Sequence, residues 1–149
     1  MSETVIQVTS LGKRIKGKTI LEEISFEINQ GDCVALIGPN GAGKTVLMSC
    51  ILGDKKPSSG QVLIDGKAGK AKNKIAVLLQ ENTIPNSLKV EELIAFFQSI
   101  SDNPLTNQEV QDLLQFKEDQ YQQFADKLSG GQRRLLAFVL CLIDKPKIL

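Results

Sequence analysis

Apolar and polar positions change their spacing along this 149-residue chain, and each change marks an element. Val5, Ile6 and Val8 suggest a first strand, and Ile24, Phe26 and Ile28 alternate with polar neighbours, as in a strand with one face in water. Cys33, Val34, Ala35, Leu36 and Ile37 form a short unbroken apolar run, the pattern of a strand buried on both faces. Positions 46–52 are apolar enough for a buried helix. Positions 53–60, with Pro57, Ser58 and Ser59, must be a loop. Val62, Leu63 and Ile64, then the run 75–79, read as strands on either side of a basic, turn-rich stretch at 65–74. The period then becomes helical. Val90, Leu93, Ile94, Phe96 and Phe97 share one face, and Thr106 and Glu109 have capping-box spacing ahead of Val110, Leu113 and Leu114. A last apolar helix is expected over 133–143.

Between the apolar run at 33–37 and the helix at 46–52 stand Gly38, Pro39, Asn40, Gly41, Ala42, Gly43, Lys44 and Thr45. This is a phosphate-loop pattern in its required strand, loop and helix setting. Its four specified positions arise by chance in about one chain in two hundred of this length, and the setting lowers that further. Gly41 and Gly43 can take positive φ, which turns successive N–H groups inward to form an anion site. The helix start adds its dipole and unpaired N–H groups. In such a loop Lys44 reaches the β- and γ-phosphates and the Thr45 hydroxyl ligates Mg²⁺. The fold class expected is therefore α/β: a P-loop NTPase core with an N-terminal antiparallel β portion over 1–84, a small helical subdomain over 85–127, and a segment returning to the core over 128–149.

Composition changes this picture little. Eighteen Lys and Arg against seventeen Asp and Glu leave a net charge of +1, so the whole chain has no pull toward nucleic acid or anionic lipid. The residues 12–18 form a basic turn, which taken singly is a solvated hairpin loop. Cys33, Cys50 and Cys141 lack any Cys-x-x-Cys spacing and sit in apolar stretches, as buried thiols in a reducing compartment do. The N-terminus has neither a basic region nor an apolar run, so no secretory signal is expected. The apolar stretch 135–143 is half the length needed to span a bilayer.

A second glycine-rich helix start follows Leu128: Ser129, Gly130, Gly131 and Gln132. Ser129 and Gln132 alone make an ordinary capping box. Two successive glycines, however, weaken a helix for no packing benefit unless something approaches the backbone closely, and an anion is the natural candidate.

The phosphate loop, a lone Gln80 ending a strand before a helical insert, and Leu128-Ser129-Gly130-Gly131-Gln132 in that order resemble the nucleotide-binding domain of ABC transporters across essentially the whole chain. The resemblance implies a head-to-tail dimer in which ATP lies between the phosphate loop of one copy and the signature pentapeptide of the other. Ser129, Gly130, Gly131 and Gln132 would then form a site only with a second copy. Lys44 and Gln80 would be the catalytic positions present. Gln80 would touch Mg²⁺, as would Thr45, and would sense a separate transmembrane permease whose coupling helix docks near 80–88. ATP and Mg²⁺ are the implied ligands, the cytoplasmic face of the cell membrane the implied location, and no nucleic acid the implied partner set.

Departures from the family pattern matter. Ile15 stands, in the loop before the second strand, where an aromatic ring usually stacks on adenine, and Val46 replaces a hydroxyl residue that often contacts the α-phosphate. The sequence stops where the family's strand with the Mg²⁺-associated Asp and the catalytic Glu would run, and it has no His. It therefore reads as a portion incomplete at the C-terminus, expected by itself to bind ATP but hydrolyse it negligibly. Two other functions stay open: a soluble ABC ATPase acting on ribosomes or DNA, against which the neutral charge weighs, and a nucleotide-binding interaction module without hydrolysis. Within the transporter reading, the sequence leans by analogy toward bacterial exporters.

Overall fold

The computed structural model describes residues 3–68, 75–79 and 84–149. These fall into two compact units, Met1–Lys72 and Asn73–Leu149. The mixed α/β class with an antiparallel N-terminal portion is what the chain adopts.

In the first unit β1 (Thr4–Ile15) and β2 (Lys18–Asn29) form a long hairpin. β3 (Ser59–Ile64) pairs with the other edge of β1, and the two-residue β4 (Lys67–Ala68) completes an antiparallel sheet in the order β2-β1-β3-β4. Val8 stands opposite both Phe26 and Val62, so β1 is the central strand and its apolar residues are the best buried. The ladder slips near Leu11 on both sides, and Ser10 takes φ 45 there. A bulge of this kind bends the strand toward the hairpin tip. The basic turn is tighter than the expected 12–18: Lys16 and Gly17 alone connect the strands. α1 (Lys44–Ile51) packs on β2 through a face that buries Leu47 and Cys50.

The strand expected at 33–37 does not form among the described residues. Its residues are coil and exposed; Val34 is 60% and Ile37 89% accessible. An apolar run identifies a segment able to lie inside a parallel sheet, but its backbone groups need a neighbouring strand to pair with, and no described strand lies beside it. Cys33 is correspondingly exposed, against the expectation of three buried thiols; Cys50 is buried and Cys141 half-buried.

The second unit is helical. α2 (Val90–Ser99), α3 (Asn107–Leu114), α4 (Glu118–Tyr121) and α5 (Gly130–Leu142) surround one core, in which Val90, Leu93, Val110 and Leu136 are almost wholly inaccessible. The capping box predicted for α3 is present: Thr106 Oγ1 accepts from the Glu109 N–H, and Glu109 Oε2 accepts from the Thr106 N–H at 2.7 Å. That carboxyl is held below its usual range, first by the Thr106 backbone hydrogen bond and then by the Thr106 hydroxyl. Leu105 N–H donates to the Ile143 carbonyl at 2.8 Å, tying the start of α3 to the end of α5. The strand expected over 75–79 is reduced to one parallel bridge, Ile75 with Ile148, secured by Ala76 N–H to the Ile148 carbonyl at 2.8 Å.

Candidate nucleotide site

The loop 38–45 is shaped by its glycines and by the hairpin behind it. Gly41 takes φ 84 and Gly43 φ 91, the left-handed region that L side chains avoid. At Gly43 space is also short. A Cβ there would stand 2.9 Å from Leu21 Cδ2 and 3.2 Å from the Ile20 carbonyl oxygen. Gly43 is the N-cap of α1 and has no side chain to satisfy the first-turn N–H groups, which helical geometry leaves without an internal acceptor. Leu47 N–H to the Gly43 carbonyl, 2.9 Å, starts the helical ladder.

Lys44 folds back over the loop, its Nζ donating to the Gly38 carbonyl at 2.6 Å and to the Pro39 carbonyl at 2.7 Å. The ammonium is therefore held against the loop's own carbonyls, on the residue that begins α1. The donors are cationic or N–H, and the neighbouring residues 31–42 are all exposed. Such a set fits a polyanion reaching the surface, and a phosphate chain matches its chemistry. Asn40 lies in the turn, Thr45 is exposed on the first turn of α1, and Val46 is half-buried beside it. Ile15 is not in a loop: it is the last residue of β1, paired with Lys18 and half-buried. The hairpin twist carries the ladder that far before the two-residue turn. Behind the loop, Cys50 is pushed up by burial, an effect partly opposed by Lys13 and Lys55.

In the second unit the signature residues begin α5. Ser129 Oγ accepts from the Gln132 N–H at 3.2 Å, and Gln132 Oε1 accepts from the Ser129 N–H at 3.0 Å, closing a reciprocal cap. Gly130 and Gly131 are exposed, neither has positive φ, and a Cβ on either would meet nothing within 4 Å. Among the described residues the fold thus gives no reason for glycine at these two positions. Leu128, by contrast, is buried in the helical core and anchors the pentapeptide. Arg133 braces the same turn by donating from its guanidinium to the Asp126 carbonyl at 3.0 Å.

Gln80 lies outside the described residues. The phosphate loop and the signature belong to different units. What the sequence did not reveal is the role of Ile20 and Leu21, which wall the site behind Gly43. They read only as two apolar residues of a strand, and no local signal ties them to a loop twenty residues onward.

Known proteins are similar to this chain in sequence and in fold. The methionine import ATP-binding protein MetN of Legionella pneumophila is 34% identical over 158 residues, covering 97% of this chain and 46% of the relative. The spermidine/putrescine import ATP-binding protein PotA of Protochlamydia amoebophila is 32% identical over 148 residues, covering 93% of this chain and 39% of the relative. The chain spans less than half the length of these curated relatives. In fold it is similar to cbiO1 of Clostridium perfringens, part of the ABC transporter complex cbiONQ, with a TM-score of 0.81 at 23% identity, covering 97% of this chain and 63% of that one. The family model for the ABC transporter matches residues 21–149, from the β2 wall of the phosphate loop through the signature helix, and the chain belongs to that family.

Proposed function

We propose that the protein is the ATP-binding subunit of an ABC transporter, and that this chain supplies the triphosphate grip and the signature of its nucleotide clamp. The observation that carries the reading is a pair of glycine-built helix starts with opposite internal constraints. Gly43 is required by its own fold, whereas Gly130 and Gly131 are not. Free space in front of an exposed helix N-terminus suits an anion delivered from outside, and a second copy would bring one on its phosphate loop. In that arrangement Gly38, Pro39, Asn40, Gly41, Ala42 and Gly43 wrap the phosphates and Lys44 neutralises their charge. Ser129, Gly130, Gly131 and Gln132 close from the partner copy.

Mg²⁺ belongs to the same proposal: the Thr45 hydroxyl and the Gln80 carboxamide would hold it, and bound there it would draw charge off the transferred phosphoryl group. Adenine would rest against an apolar side chain at Ile15 rather than an aromatic one, and Val46 would offer the α-phosphate no hydroxyl. A separate membrane permease would dock on the helical subdomain, 85–127, near 80–88, placing the subunit at the cytoplasmic face of the membrane with no role for nucleic acid. No helix among the described residues is long and apolar enough to cross a membrane, which accords with a permease on another chain. The curated relatives share import in their names but differ in what they import. Import is therefore favoured over the exporter likeness of the sequence, and the choice of substrate is assigned to the permease.

Equilibrium ATP binding by the complete protein tests the grip. Lys44→Ala is expected to weaken affinity at least about tenfold, equivalent to about 1.4 kcal/mol, with little change in melting temperature, since among the described residues Lys44 bonds to exposed loop carbonyls alone. Equal affinities in wild type and variant would refute the assignment.

A further inference from the structure

The net charge of +1 conceals a strong local asymmetry. Residues 12–18 hold Lys13, Arg14, Lys16 and Lys18 with no carboxylate, and residues 53–59 add Lys55 and Lys56 against Asp54. Six cations face one carboxylate, a surplus of five, which leaves the rest of the chain net negative by four. The two segments are forty residues apart in sequence, and the fold joins them. Ser58 N–H donates to the Gly12 carbonyl at 2.8 Å, Arg14 N–H to Ser58 Oγ at 2.9 Å, and Lys13 Nζ to the Lys56 carbonyl at 2.6 Å. All six cations therefore gather at the tip of the β1–β2 hairpin.

Three features say what this tip suits. Arg14, Lys16, Lys18, Lys55 and Lys56 are exposed, and none of the six cations forms an ion pair among the described residues. Among the described residues their charge is not spent. Lys16 and Gly17 take φ 49 and 80 in a two-residue hairpin turn, whose first position favours Asn, Asp or Gly. A lysine there accepts an awkward backbone and sets its charge at the apex. Neither segment contains Phe, Tyr or Trp, so no aromatic ring is at hand to stack on a base, and the large exposed apolar side chains all lie elsewhere, so none of them enters hydrocarbon from this tip. A projecting tip of long cationic side chains matches a flat, mobile field of negative charge better than a shaped pocket.

We infer that the hairpin tip, with the loop at 53–59, is an electrostatic contact surface for anionic phospholipid headgroups. The inference rests on the proposed placement beside a membrane and adds a contact that docking on a permease does not require. Each cation near such a surface contributes about a fivefold factor in binding.

The test is sedimentation of the complete protein, without permease, with phosphatidylcholine vesicles that contain or lack phosphatidylglycerol. Binding is expected only to the anionic vesicles and is expected to weaken as salt is raised. The triple variant Lys16→Gln, Lys18→Gln, Lys55→Gln should bind them about a hundredfold more weakly while keeping its ATP affinity. Lys13 and Arg14 are left in place to hold the tip together. A control with the same charge change in the other unit, Lys117→Gln, Lys127→Gln, Lys145→Gln, should bind vesicles as wild type does. Equal binding to neutral vesicles, retention by the tip variant, an equal loss in the control, or displacement by duplex RNA at matched phosphate would each overturn the inference. Loss of ATP binding by Lys44→Ala leaves the vesicle result untouched, so the two readings fail separately.

Discussion

The double substitution Gly130→Ala, Gly131→Ala sets stability against function, with the sign of each predicted by geometry. Both residues lie in the first turn of α5 with helical backbone, and a methyl group at either would enter open space. Replacing glycine by alanine in a helix stabilises it by roughly 0.5–1 kcal/mol, mostly by reducing the freedom of the unfolded chain. For a chain of this size, 1 kcal/mol moves the melting temperature by about 2–4 °C. Each substitution should therefore raise it by about 2 °C. If the glycines are there so that a phosphate can approach the backbone, the same methyl groups should weaken ATP-driven dimerisation at least about tenfold, a loss of about 1.4 kcal/mol. Gly43→Ala gives the contrast. There the backbone at φ 91 disfavours any Cβ by about 1–2 kcal/mol, and crowding against Leu21 and Ile20 adds to that. It should lose stability and nucleotide affinity together. The assay pairs thermal unfolding with light scattering of the complete protein in the presence and absence of ATP. A double variant that melts higher and still dimerises with wild-type ATP dependence would refute close approach as the reason for the glycines.

Other consequences follow from particular contacts. Leu136 is fully buried in the helical core, so Leu136→Ala should cost about 2–5 kcal/mol in urea unfolding. Glu109 has its folded pKa lowered by Thr106, so its contribution is present above the ordinary carboxylate range and is lost as pH falls through the lowered value. The stability gap between wild type and Glu109→Gln should accordingly close on acidification through that range and not on going alkaline. Thiol titration of the native protein should label exposed Cys33 first and Cys50 last, since burial both shields Cys50 and raises its pKa. Equal labelling rates would show that the region around 33–37 is covered.

The legible parts of this protein are those whose cause is local. The positive φ at Gly41 and Gly43, the boxes at Thr106 with Glu109 and at Ser129 with Gln132, and the apolar faces of α2, α3 and α5 all depend on residues within a turn or two of one another. Spacing alone therefore specifies them. The helix starts that make up the candidate site are of this kind, so residue spacing alone points to them.

Tertiary structure decided the rest, because an extended segment completes its hydrogen bonds only on another segment, and nothing in its own residues names that partner. Apolar residues at 5–8 became part of a central strand while the wholly apolar run at 33–37 became exposed coil, according to whether described neighbours were at hand. Pairing of β1 with β3 also brought residues 53–59 to the hairpin tip, turning scattered lysines in a nearly neutral chain into one concentrated charge. And only the fold put Ile20 and Leu21 behind Gly43, so that the loop's glycine is required by space as well as by its dihedral angle.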